Sequence, residues 1–415
     1  MYDRPRSLLL GVSGGIAAYK ACDIARHFVK LGVSVQVVMT ENATKFIGPT
    51  TFEALTDRPV FVELFKSKDL IGQEGTFRHI DLGKGFDAFL IAPATANVIA
   101  KFAAGIADDL LSSTYLCSDC PVLVAPAMNT RMWLHPATKR NVEILQGDGV
   151  EFVMPETGEL ACGEFGAGRL APVCEIEAAT ERILGRGGSW SGIKALVTTG
   201  PTREAIDPVR FVSNNSTGHF GRLVARQLIH SGAEVTLIEG NTVEAAFALD
   251  CPRISVRSAE EMCRAVLDAA NNSDIVFMMA AVADFTPAFP SARKIKKDDL
   301  AELKVEMKRT VDILSELGGL KKRPPLVGVS AETVDIVANS ERKLKEKRLD
   351  AILAVDVGIG PFGEAPLSGA LILADGLKSN FGPSPKEEIA KLLVDSVRGK
   401  VFRNSENNRP GGQDE

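Results

Sequence analysis

The residues best suited to chemistry lie in Ala125–Trp133, which reads APAMNTRMW. A short apolar run precedes this segment, and Pro126 is expected to end the strand because proline has no N–H to donate. The segment then follows the carboxyl end of a strand, where open α/β sheets bind ligands. Asn129 offers one acceptor and two donors for a carboxylate, and Met128 and Met132 could form an apolar wall beside it. The alternative is a loop whose asparagine caps the next helix and whose methionines fill the core.

Two other side chains are candidates for proton transfer. Cys162 lies in Gly158–Arg169 (GELACGEFGAGR), a Gly-rich segment of the kind that forms mobile lids. A cysteine on such a lid could protonate a carbanion-like intermediate. His79 lies in the sequence FRHIDL, just before an apolar run. Each residue also has an ordinary interpretation, because most lone cysteines are structural and most lone histidines lie at the surface or in the core.

Short polar side chains follow several strands predicted in the first half of the chain. An apolar run at Leu8–Val12 is followed by a Gly-rich turn, a helical period ending at Gly32 and a strand at Ser34–Met39, which predicts a parallel sheet. A further strand is predicted at Phe86–Ala92 and a helix at Val98–Ala107, which a threonine could cap. The turn matches neither G-x-G-x-x-G nor a P-loop, which argues against NAD and P-loop nucleotides. The candidate residues at these strand ends are Ser13, Gly14, Gly15, Thr40, Pro93, Ala94, Thr95 and Asn97.

Length and composition are those of an ordinary globular protein. With 415 residues, 45% hydrophobic and 24% charged, the chain is expected to form two or three domains. The net charge of −5 gives no basic field for nucleic acid, and no apolar run approaches the ~20 residues that cross a bilayer. We recognise no signal peptide, and the seven scattered cysteines are expected to be reduced thiols in the cytoplasm. Cys117 and Cys120 have C-x-x-C spacing, a weak metal signal without a second pair.

The α/β pattern restarts after Gly185–Ser191 (GRGGSWS), whose composition predicts a linker. The expected fold class is therefore α/β, with two Rossmann-like parallel-sheet domains. We expect domains at residues 1–187 and 192–402 and a disordered tail at 403–415. In the second half, strands are predicted at Lys194–Thr199, Glu234–Glu239, Asp274–Ala280, Leu326–Ser330, Ala351–Val355 and Gly369–Leu373, and helices at Gly218–His230, Ser258–Asn271 and Ser384–Val397.

Several of these motifs resemble those of one family. PAMNTRMW resembles the substrate clamp of the phosphopantothenoylcysteine decarboxylases, flavin proteins of the coenzyme A pathway, and Gly158–Arg169 resembles their second clamp. The segments GPTRE (Gly200–Glu204), NNSTG (Asn214–Gly218), AAVAD (Ala280–Asp284) and KIKK (Lys294–Lys297) resemble the phosphopantothenate–cysteine ligases. All occur in the order found in the bifunctional ligase/decarboxylase proteins, so the resemblance covers nearly the whole chain.

For the first half, the resemblance implies an FMN-dependent decarboxylase. The cofactor would contact the strand-end residues given above, at the interfaces of a trimer. Asn129 would fix the substrate carboxylate between Met128 and Met132, His79 would assist oxidation of the thiol, and Cys162 would protonate the enethiolate left after CO₂ loss. FMN would accept a hydride and later return it, so the reaction has no net redox change.

For the second half, the resemblance implies a CTP-dependent ligase that works as a dimer, which with the trimers predicts a dodecamer. Asn214 would hold an acyl-cytidylate, Ser216 and Gly218 the substrate phosphate, and Asp284 a Mg²⁺ ion, with Arg203 and Arg210 as candidate helpers. For single lysines and arginines, a solvated face or a surface salt bridge is the ordinary alternative. The remaining residues implied in nucleotide binding are Ala280, Lys294, Asp312, Ile313, Val329, Lys343 and Lys347.

The chain departs from the family pattern at four positions in the ligase half. His219 replaces a lysine, Val311 a proline, Val329 an aromatic residue and Val355 an asparagine. These changes leave open whether CTP or another triphosphate is used. The alternatives are a degenerate ligase half, a different FMN enzyme such as a peptide-cysteine decarboxylase or a flavin prenyltransferase, and a non-catalytic flavoprotein regulatory subunit.

Overall fold

The computed structural model describes residues 1–64, 78–242, 247–296, 302–358 and 365–401, so the tail expected at 403–415 lies outside the described residues. The chain divides into two compact units, Met1–Arg186 and Gly187–Glu415. Both combine helices with a largely parallel sheet, as the sequence predicts. None of the helices within the described ranges is long and apolar enough to span a membrane.

The first unit contains seven strands and eight α-helices among the described residues. The strands are β1 (Ser7–Val12), β2 (Ser34–Met39), β3 (Ala88–Ala94), β4 (Val122–Pro126), β5 (Glu151–Phe152), β6 (Glu156–Glu159) and β7 (Phe165–Arg169). The helices are α1 (Ala21–Lys30), α2 (Pro49–Thr56), α3 (Arg78–Leu82), α4 (Ala96–Ala104), α5 (Leu110–Cys117), α6 (Thr130–Leu134), α7 (Pro136–Gly147) and α8 (Val173–Gly185). A 3₁₀ turn, Ile16–Lys20, leads into α1.

The main sheet of this unit has the order β2-β1-β3-β4-β5, with every pair parallel. The strands read as continuous apolar runs because both faces are covered, by α1 and α8 on one side and by α4, α5 and α7 on the other. The order reverses between β1 and β3, so the turns that follow these two strands lie side by side at the carboxyl edge. Open α/β sheets bind ligands at such a point.

Two local features of this unit differ from the sequence expectation. β3 extends through Pro93 to Ala94, two residues beyond the predicted end, because Ala94 still pairs with Pro126 of β4 after an irregularity in the register. The Gly-rich segment around Cys162, for which no strands were predicted, contains the antiparallel hairpin β6–β7, a second sheet that is separate from the first.

The second unit contains twelve strands and five α-helices among the described residues. The strands are β8 (Lys194–Thr199), β9 (Arg203–Ala205), β10 (Phe211–Ser213), β11 (Glu234–Glu239), β12 (Arg253–Ser255), β13 (Ile275–Met278), β14 (Phe285–Pro287), β15 (Met307–Arg309), β16 (Leu326–Glu332), β17 (Ala351–Asp356), β18 (Leu367–Leu373) and β19 (Lys378–Ser384). The helices are α9 (His219–His230), α10 (Ala259–Ala270), α11 (Ile313–Gly319), α12 (Ile336–Glu346) and α13 (Lys386–Val401).

The main sheet of this unit has the order β12-β11-β8-β13-β16-β17-β18-β19. Its first six strands are parallel, and β18 and β19 add an antiparallel edge. The GPTRE segment, expected to be only an exit loop, contributes β9, which pairs with β10 in a separate hairpin. β19 was not predicted because its side chains alternate between exposed and half-buried and include few apolar residues.

Successive residues of the central strands point into two separate cores. Val197 and Phe277 face the core formed with α9 and α13, whereas Leu196 and Val276 face the core formed with α10, α11 and α12. The period of two along a strand produces this division. Any cavity at the carboxyl edge of this sheet therefore lies between helices from both faces.

Candidate functional site

The first unit has a cavity of about 660 Å³ at the carboxyl edge of its sheet. Four parts of the chain form it: the Gly-rich turn after β1, the turn between β3 and α4, the segment between β4 and α6, and the β6–β7 hairpin. Of the predicted site residues, those lining the cavity are Gly14, Gly15, Thr95, Met128, Asn129, Met132 and Cys162.

The turns after β1 and β3 are joined by the buried hydroxyl of Ser13. Its Oγ donates to the carbonyl of Pro93 at 2.8 Å and accepts from the backbone N–H of Thr95 at 2.9 Å. A Cβ at Gly14 would lie 2.6 Å from the Cβ of Asn42, so only glycine fits there. Ser13 therefore lies behind the cavity wall and holds the Gly14–Gly15 turn, called the cradle below, against the turn after β3.

The two threonine candidates both act as local caps. Thr95 Oγ1 accepts from the N–H of Val98 at 3.4 Å at the start of α4, and Thr40 Oγ1 accepts from the N–H of Ala43 at 3.2 Å. The capping interpretation of Thr95 is thus correct, and the residue also lines the cavity. Thr40, Pro93, Ala94 and Asn97 surround these turns without lining the cavity.

The side chain of Asn129 makes two kinds of contact. Its Oδ1 accepts from the N–H of Arg131 at 2.9 Å, which caps α6. Its Nδ2 donates to Glu164 Oε2 at 2.9 Å and lies 3.7 Å from the Sγ of Cys162. One amide therefore caps a helix and binds a carboxylate, and it lies beside the thiol of an exposed cysteine.

The hairpin is joined to the Asn129 segment through its backbone. The N–H of Met128 donates to the carbonyl of Gly168 at 2.9 Å. Gly168 has a φ of +121°, and a Cβ there would lie 2.4 Å from the carbonyl oxygen of Met128. Only glycine permits this close approach, so Gly168 fixes the distance between the hairpin and the asparagine.

His79 does not line this cavity. It is a half-buried residue of the short helix α3, which begins directly after the gap at 65–77 in the described residues. Its carbonyl accepts from the N–H of Gly83 at 3.0 Å. A single protomer thus brings Asn129 and Cys162 together without the histidine.

The second unit has a larger cavity, of about 840 Å³, at the carboxyl edge of its own sheet. It is lined by the Asn-rich turn before α9, the segment after β13, the start of α11, the ends of β16 and β17, and α12. Of the predicted site residues, those lining it are Asn214, Ser216, Ala280, Asp284, Asp312, Ile313, Val329, Lys343 and Lys347.

Asn214 connects two walls of this cavity. Its Nδ2 donates to the carbonyls of Ala281 and Val282 at 3.2 and 3.0 Å. In the same turn, Ser216 Oγ accepts from the N–H of Gly218 at 3.3 Å. Gly218 has a φ of +79°, and a Cβ there would lie 2.5 Å from Thr242 Cγ2, so glycine is required at this position behind the cavity wall.

Two predicted lysines, Lys343 in α12 and Lys347 directly after it, are each paired with a carboxylate. Lys343 Nζ lies 2.6 Å from Glu332 Oε1, and Lys347 Nζ lies 2.9 Å from Asp312 Oδ2. Burial by itself would raise the pKa values of Glu332 and Asp312, but hydrogen bonds from the lysines and from neighbouring serine groups outweigh burial and lower both. Both carboxylates are thereby kept ionised beside the cavity.

Four predicted residues lie outside the cavity lining: Gly218, which lies behind the wall, and Lys294, Arg203 and Arg210. The guanidinium of Arg203 stacks over the ring of Phe211 at 4.5 Å. Arg210 pairs with the buried carboxylate of Asp207 at 3.1 Å and donates to the carbonyl of Ile295 at 3.2 Å. The exposed Lys294 therefore lies on a segment that Arg210 and Asp207 hold in position.

Asp207 itself was not expected from the sequence. It accepts from the backbone N–H groups of Val209, Arg210 and Ile295 at 2.7–3.1 Å. Burial favours a higher pKa for this carboxyl, but the three N–H donors and the Arg210 charge lower it. Its only sequence signal is the Asp-Pro pair, which favours a turn.

Within the part of the chain that the structure describes, no group of three or more histidine, cysteine, aspartate or glutamate side chains could hold a metal ion. Asp284 lines the larger cavity as an exposed carboxylate that belongs to no such group. Cys117 and Cys120 likewise belong to no such group.

Comparison with known proteins covers both units. Residues 2–185 match the family described as Flavoprotein, and residues 190–400 match the DNA/pantothenate metabolism flavoprotein C-terminal domain. The coenzyme A biosynthesis bifunctional protein CoaBC of Bacillus subtilis (strain 168) is 46% identical over 94% of this chain and 96% of its own length. The CoaBC protein of Mycobacterium tuberculosis (strain ATCC 25618 / H37Rv) is 40% identical over 95% of this chain and 96% of its own length. A crystal structure of the C-terminal domain of a CoaBC protein is 31% identical, covers 52% of this chain and 100% of that chain, and has a TM-score of 0.45.

Proposed function

Because this chain belongs to the family of bifunctional coenzyme A biosynthesis proteins, with a flavoprotein decarboxylase domain and a ligase domain, we propose that it carries out two successive reactions. It joins 4′-phosphopantothenate to cysteine with CTP, and then decarboxylates the conjugate to 4′-phosphopantetheine with FMN. The observation that carries this proposal is that each unit has its own cavity, and each cavity is lined by the motif residues of one reaction.

The ligase reaction requires an activated carboxylate. Attack of the substrate carboxylate on the α-phosphate of CTP gives an acyl-cytidylate and pyrophosphate, and the cysteine amine then displaces CMP. In this proposal Lys343 and Lys347 contact the triphosphate and Asn214 holds the acyl-cytidylate. A single carboxylate such as Asp284 suffices for Mg²⁺, because the triphosphate oxygens and waters provide its other ligands.

All four departures from the family pattern line the proposed nucleotide cavity: His219, Val311, Val329 and Val355. Val329 stands where the family pattern has an aromatic residue, so this chain lacks a flat surface on which a base could stack there. We therefore propose CTP as the first nucleotide to test, with ATP and GTP as competitors. The proposed Lys294 contact lies on the segment that Arg210 and Asp207 hold.

The residues of the first unit fit FMN. Its phosphate needs backbone N–H groups that can be approached closely, and a cradle at Gly14 and Gly15 without side chains provides them. When bound, FMN supplies a reversible hydride acceptor, which allows the thiol to be oxidised before CO₂ is lost and the product to be reduced afterwards. The further FMN contacts we propose are Ser13, Thr40, Pro93, Ala94, Thr95 and Asn97.

The chain's own residues then bind and protonate the substrate. Asn129 donates to the substrate carboxylate, in the place where its Nδ2 now meets Glu164. Met128 and Met132 cover the apolar part of the conjugate, and Met132 is 48% exposed before it binds. The Cys162 thiol, 3.7 Å from that amide, protonates the enethiolate carbon.

The role proposed for His79, assistance in oxidising the thiol, requires a second protomer, because His79 does not line the cavity of its own chain. A trimer of the first unit would supply it, and dimers of the second unit would build a dodecamer. We propose a cytoplasmic location for the assembly and retain the domain limits of residues 1–187 and 192–402.

Two assays test the halves separately. Pyrophosphate release from CTP and 4′-phosphopantothenate without cysteine reports activation, and CO₂ release from the supplied conjugate reports decarboxylation. A degenerate ligase would give only CO₂, and a non-catalytic flavoprotein would give neither product. A yellow preparation with a flavin spectrum supports FMN, whereas a colourless one that FMN cannot reconstitute contradicts it.

A further inference from the structure

The cavity of the second unit has two sides, because it lies over the carboxyl edge of a sheet with helices on both faces. Lys343 of α12 and Lys347, directly after that helix, lie on the face of α10 and α11. The Asn-rich turn and His219, at the start of α9, lie on the opposite face, where α9 packs beside α13. The candidate nucleotide lysines thus occupy one side only.

A further lysine lines the other side. Lys386 is the first residue of α13, is only 8% exposed and lines the cavity together with the Asn-rich turn. Two features of this position disfavour the charged form of the Lys386 ammonium. Burial lowers the pKa of the Lys386 ammonium, and the N-terminus of a helix carries partial positive charge, which favours anions. An anionic ligand in the cavity would offset both costs.

The proposed ligase reaction brings two anionic reactants together. The triphosphate of the nucleotide and the terminal phosphate of the acid are both highly charged, and each needs its own cationic contact. Lys343 and Lys347 are already held by Glu332 and Asp312 on the first side. The carboxylate of 4′-phosphopantothenate, which must meet the nucleotide, is at the opposite end of that molecule from its phosphate. The acid can therefore extend across the sheet edge.

We propose that Lys386 binds the terminal phosphate of the acid substrate and so selects the phosphorylated acid over its unphosphorylated form. This inference rests on the proposed ligase function of the same cavity. The turn that contains Ser216 lines the same cavity as Lys386, and its backbone and hydroxyl provide neutral hydrogen bonds for the same phosphate. The ammonium supplies the charge that the turn lacks.

The test compares Lys386→Met and Lys386→Arg in the full chain. Pyrophosphate release is measured with 4′-phosphopantothenate and with pantothenate, which lacks the phosphate. Loss of one charge-assisted contact is expected to raise KM for the phosphorylated acid by roughly 10- to 100-fold. KM for pantothenate and for CTP should change little, and Lys386→Arg should recover part of the loss.

The matched control is Lys391→Met on the same helix, where Lys391 pairs with Asp395 at 2.6 Å on the exposed surface and should leave all three KM values unchanged. An equal rise of KM for both acids, or a rise for CTP alone, would overturn the proposal. The ratio of the two acid KM values does not depend on how much of a preparation is folded. If the native chain releases no pyrophosphate with any triphosphate, the ligase function fails. In that case, the affinities of the two acids for the native chain and for Lys386→Met, measured by calorimetry, still test whether Lys386 binds the phosphate.

Discussion

At the residue scale, Asn129 already holds a carboxylate. Its Nδ2 donates to Glu164 of the hairpin, and the same group is proposed to hold the substrate carboxylate. The two N–H groups of this amide are directed at Glu164 and at the Cys162 sulfur, and two carboxylates side by side repel each other. Substrate is therefore expected to displace Glu164, which would move the hairpin that carries Cys162.

Glu164→Gln should lower KM for the phosphopantothenoylcysteine conjugate several-fold, because a neutral amide does not repel the incoming carboxylate. Steady-state CO₂ release measures this. Glu143→Gln, an exposed change on α7, is the control and should leave KM as it is. An unchanged or higher KM for Glu164→Gln would show that Glu164 does not compete with substrate.

Cys162→Ser should stall the reaction after CO₂ is lost, because a hydroxyl is a much weaker acid than a thiol. The oxidised enethiol product should accumulate, and mass spectrometry of the quenched reaction detects it. Cys174→Ser, which changes an exposed cysteine outside the cavity lining, should behave as the native chain does. Normal formation of 4′-phosphopantetheine by the Cys162 variant would remove this thiol from the mechanism.

The sequence pointed to Asn129 and Cys162 because each lies in a segment whose composition is unusual by itself. It did not point to Glu164, Glu332 or Lys386. Their importance depends on which residue they meet: Glu164 through the hairpin register, Glu332 through Lys343, and Lys386 through a helix that packs beside α9. Such pairings form only in the folded chain.

At the element scale, the β6–β7 hairpin is positioned by one close backbone contact. Gly168→Ala would force a Cβ to within 2.4 Å of the Met128 carbonyl at a φ of +121°. We expect the free energy of unfolding to fall by about 1–3 kcal/mol. Denaturant titration measures it, and decarboxylation should weaken at the same time.

The matched control is Gly147→Ala in α7, where an added Cβ would meet no atom within 4 Å and alanine favours the helix. This variant should be as stable as the native chain or slightly more so. If Gly168→Ala were equally harmless, the hairpin would not be held by this contact.

The loops around Lys294 depend on the ionised carboxylate of Asp207. Because the pKa of folded Asp207 is lowered, its contribution to stability is present above the ordinary aspartate pKa of about 4 and is lost as the pH falls through the lowered value. Asp207→Asn should therefore reduce Tm at neutral pH, and the difference from the native chain should shrink in acid.

Scanning calorimetry across this pH range measures the effect, and hydrogen exchange at Ile295 should speed up in the variant. Glu260→Gln alters a pair with Arg264 whose side chains are 84% and 67% exposed, so it should change Tm little at any pH. If the Tm difference between Asp207→Asn and the native chain did not change with pH, the loss of stability would come from altered packing and not from the missing negative charge.

The elements that could be predicted from the sequence are the ones with continuous apolar cores. β1, β2, β8 and β11 agree with their predicted bounds to within a residue, because buried parallel strands read as unbroken apolar runs. β9, β10 and β19 were missed because they are short or exposed strands whose pairing depends on the rest of the fold. The helix after Ser258 begins where its predicted cap lies.

At the scale of the whole molecule, each unit has its own sheet and its own cavity at the carboxyl edge of that sheet. This shared architecture follows from parallel strands, whose carboxyl ends and following turns meet at one edge. The two cavities differ in charge in a way that fits the proposed reactions. The larger is lined by several lysines and aspartates, whereas the smaller is lined mainly by small and apolar residues and has three charged side chains, Lys20, Glu159 and Arg169.

The two activities on one chain are tested most directly by a single incubation of the purified protein with FMN, Mg²⁺, 4′-phosphopantothenate, cysteine and CTP. We predict that 4′-phosphopantetheine forms with one CO₂ and one pyrophosphate released per molecule, and that nothing forms without the nucleotide. Absence of 4′-phosphopantetheine under these conditions, with both CO₂ and pyrophosphate at background, would contradict the account.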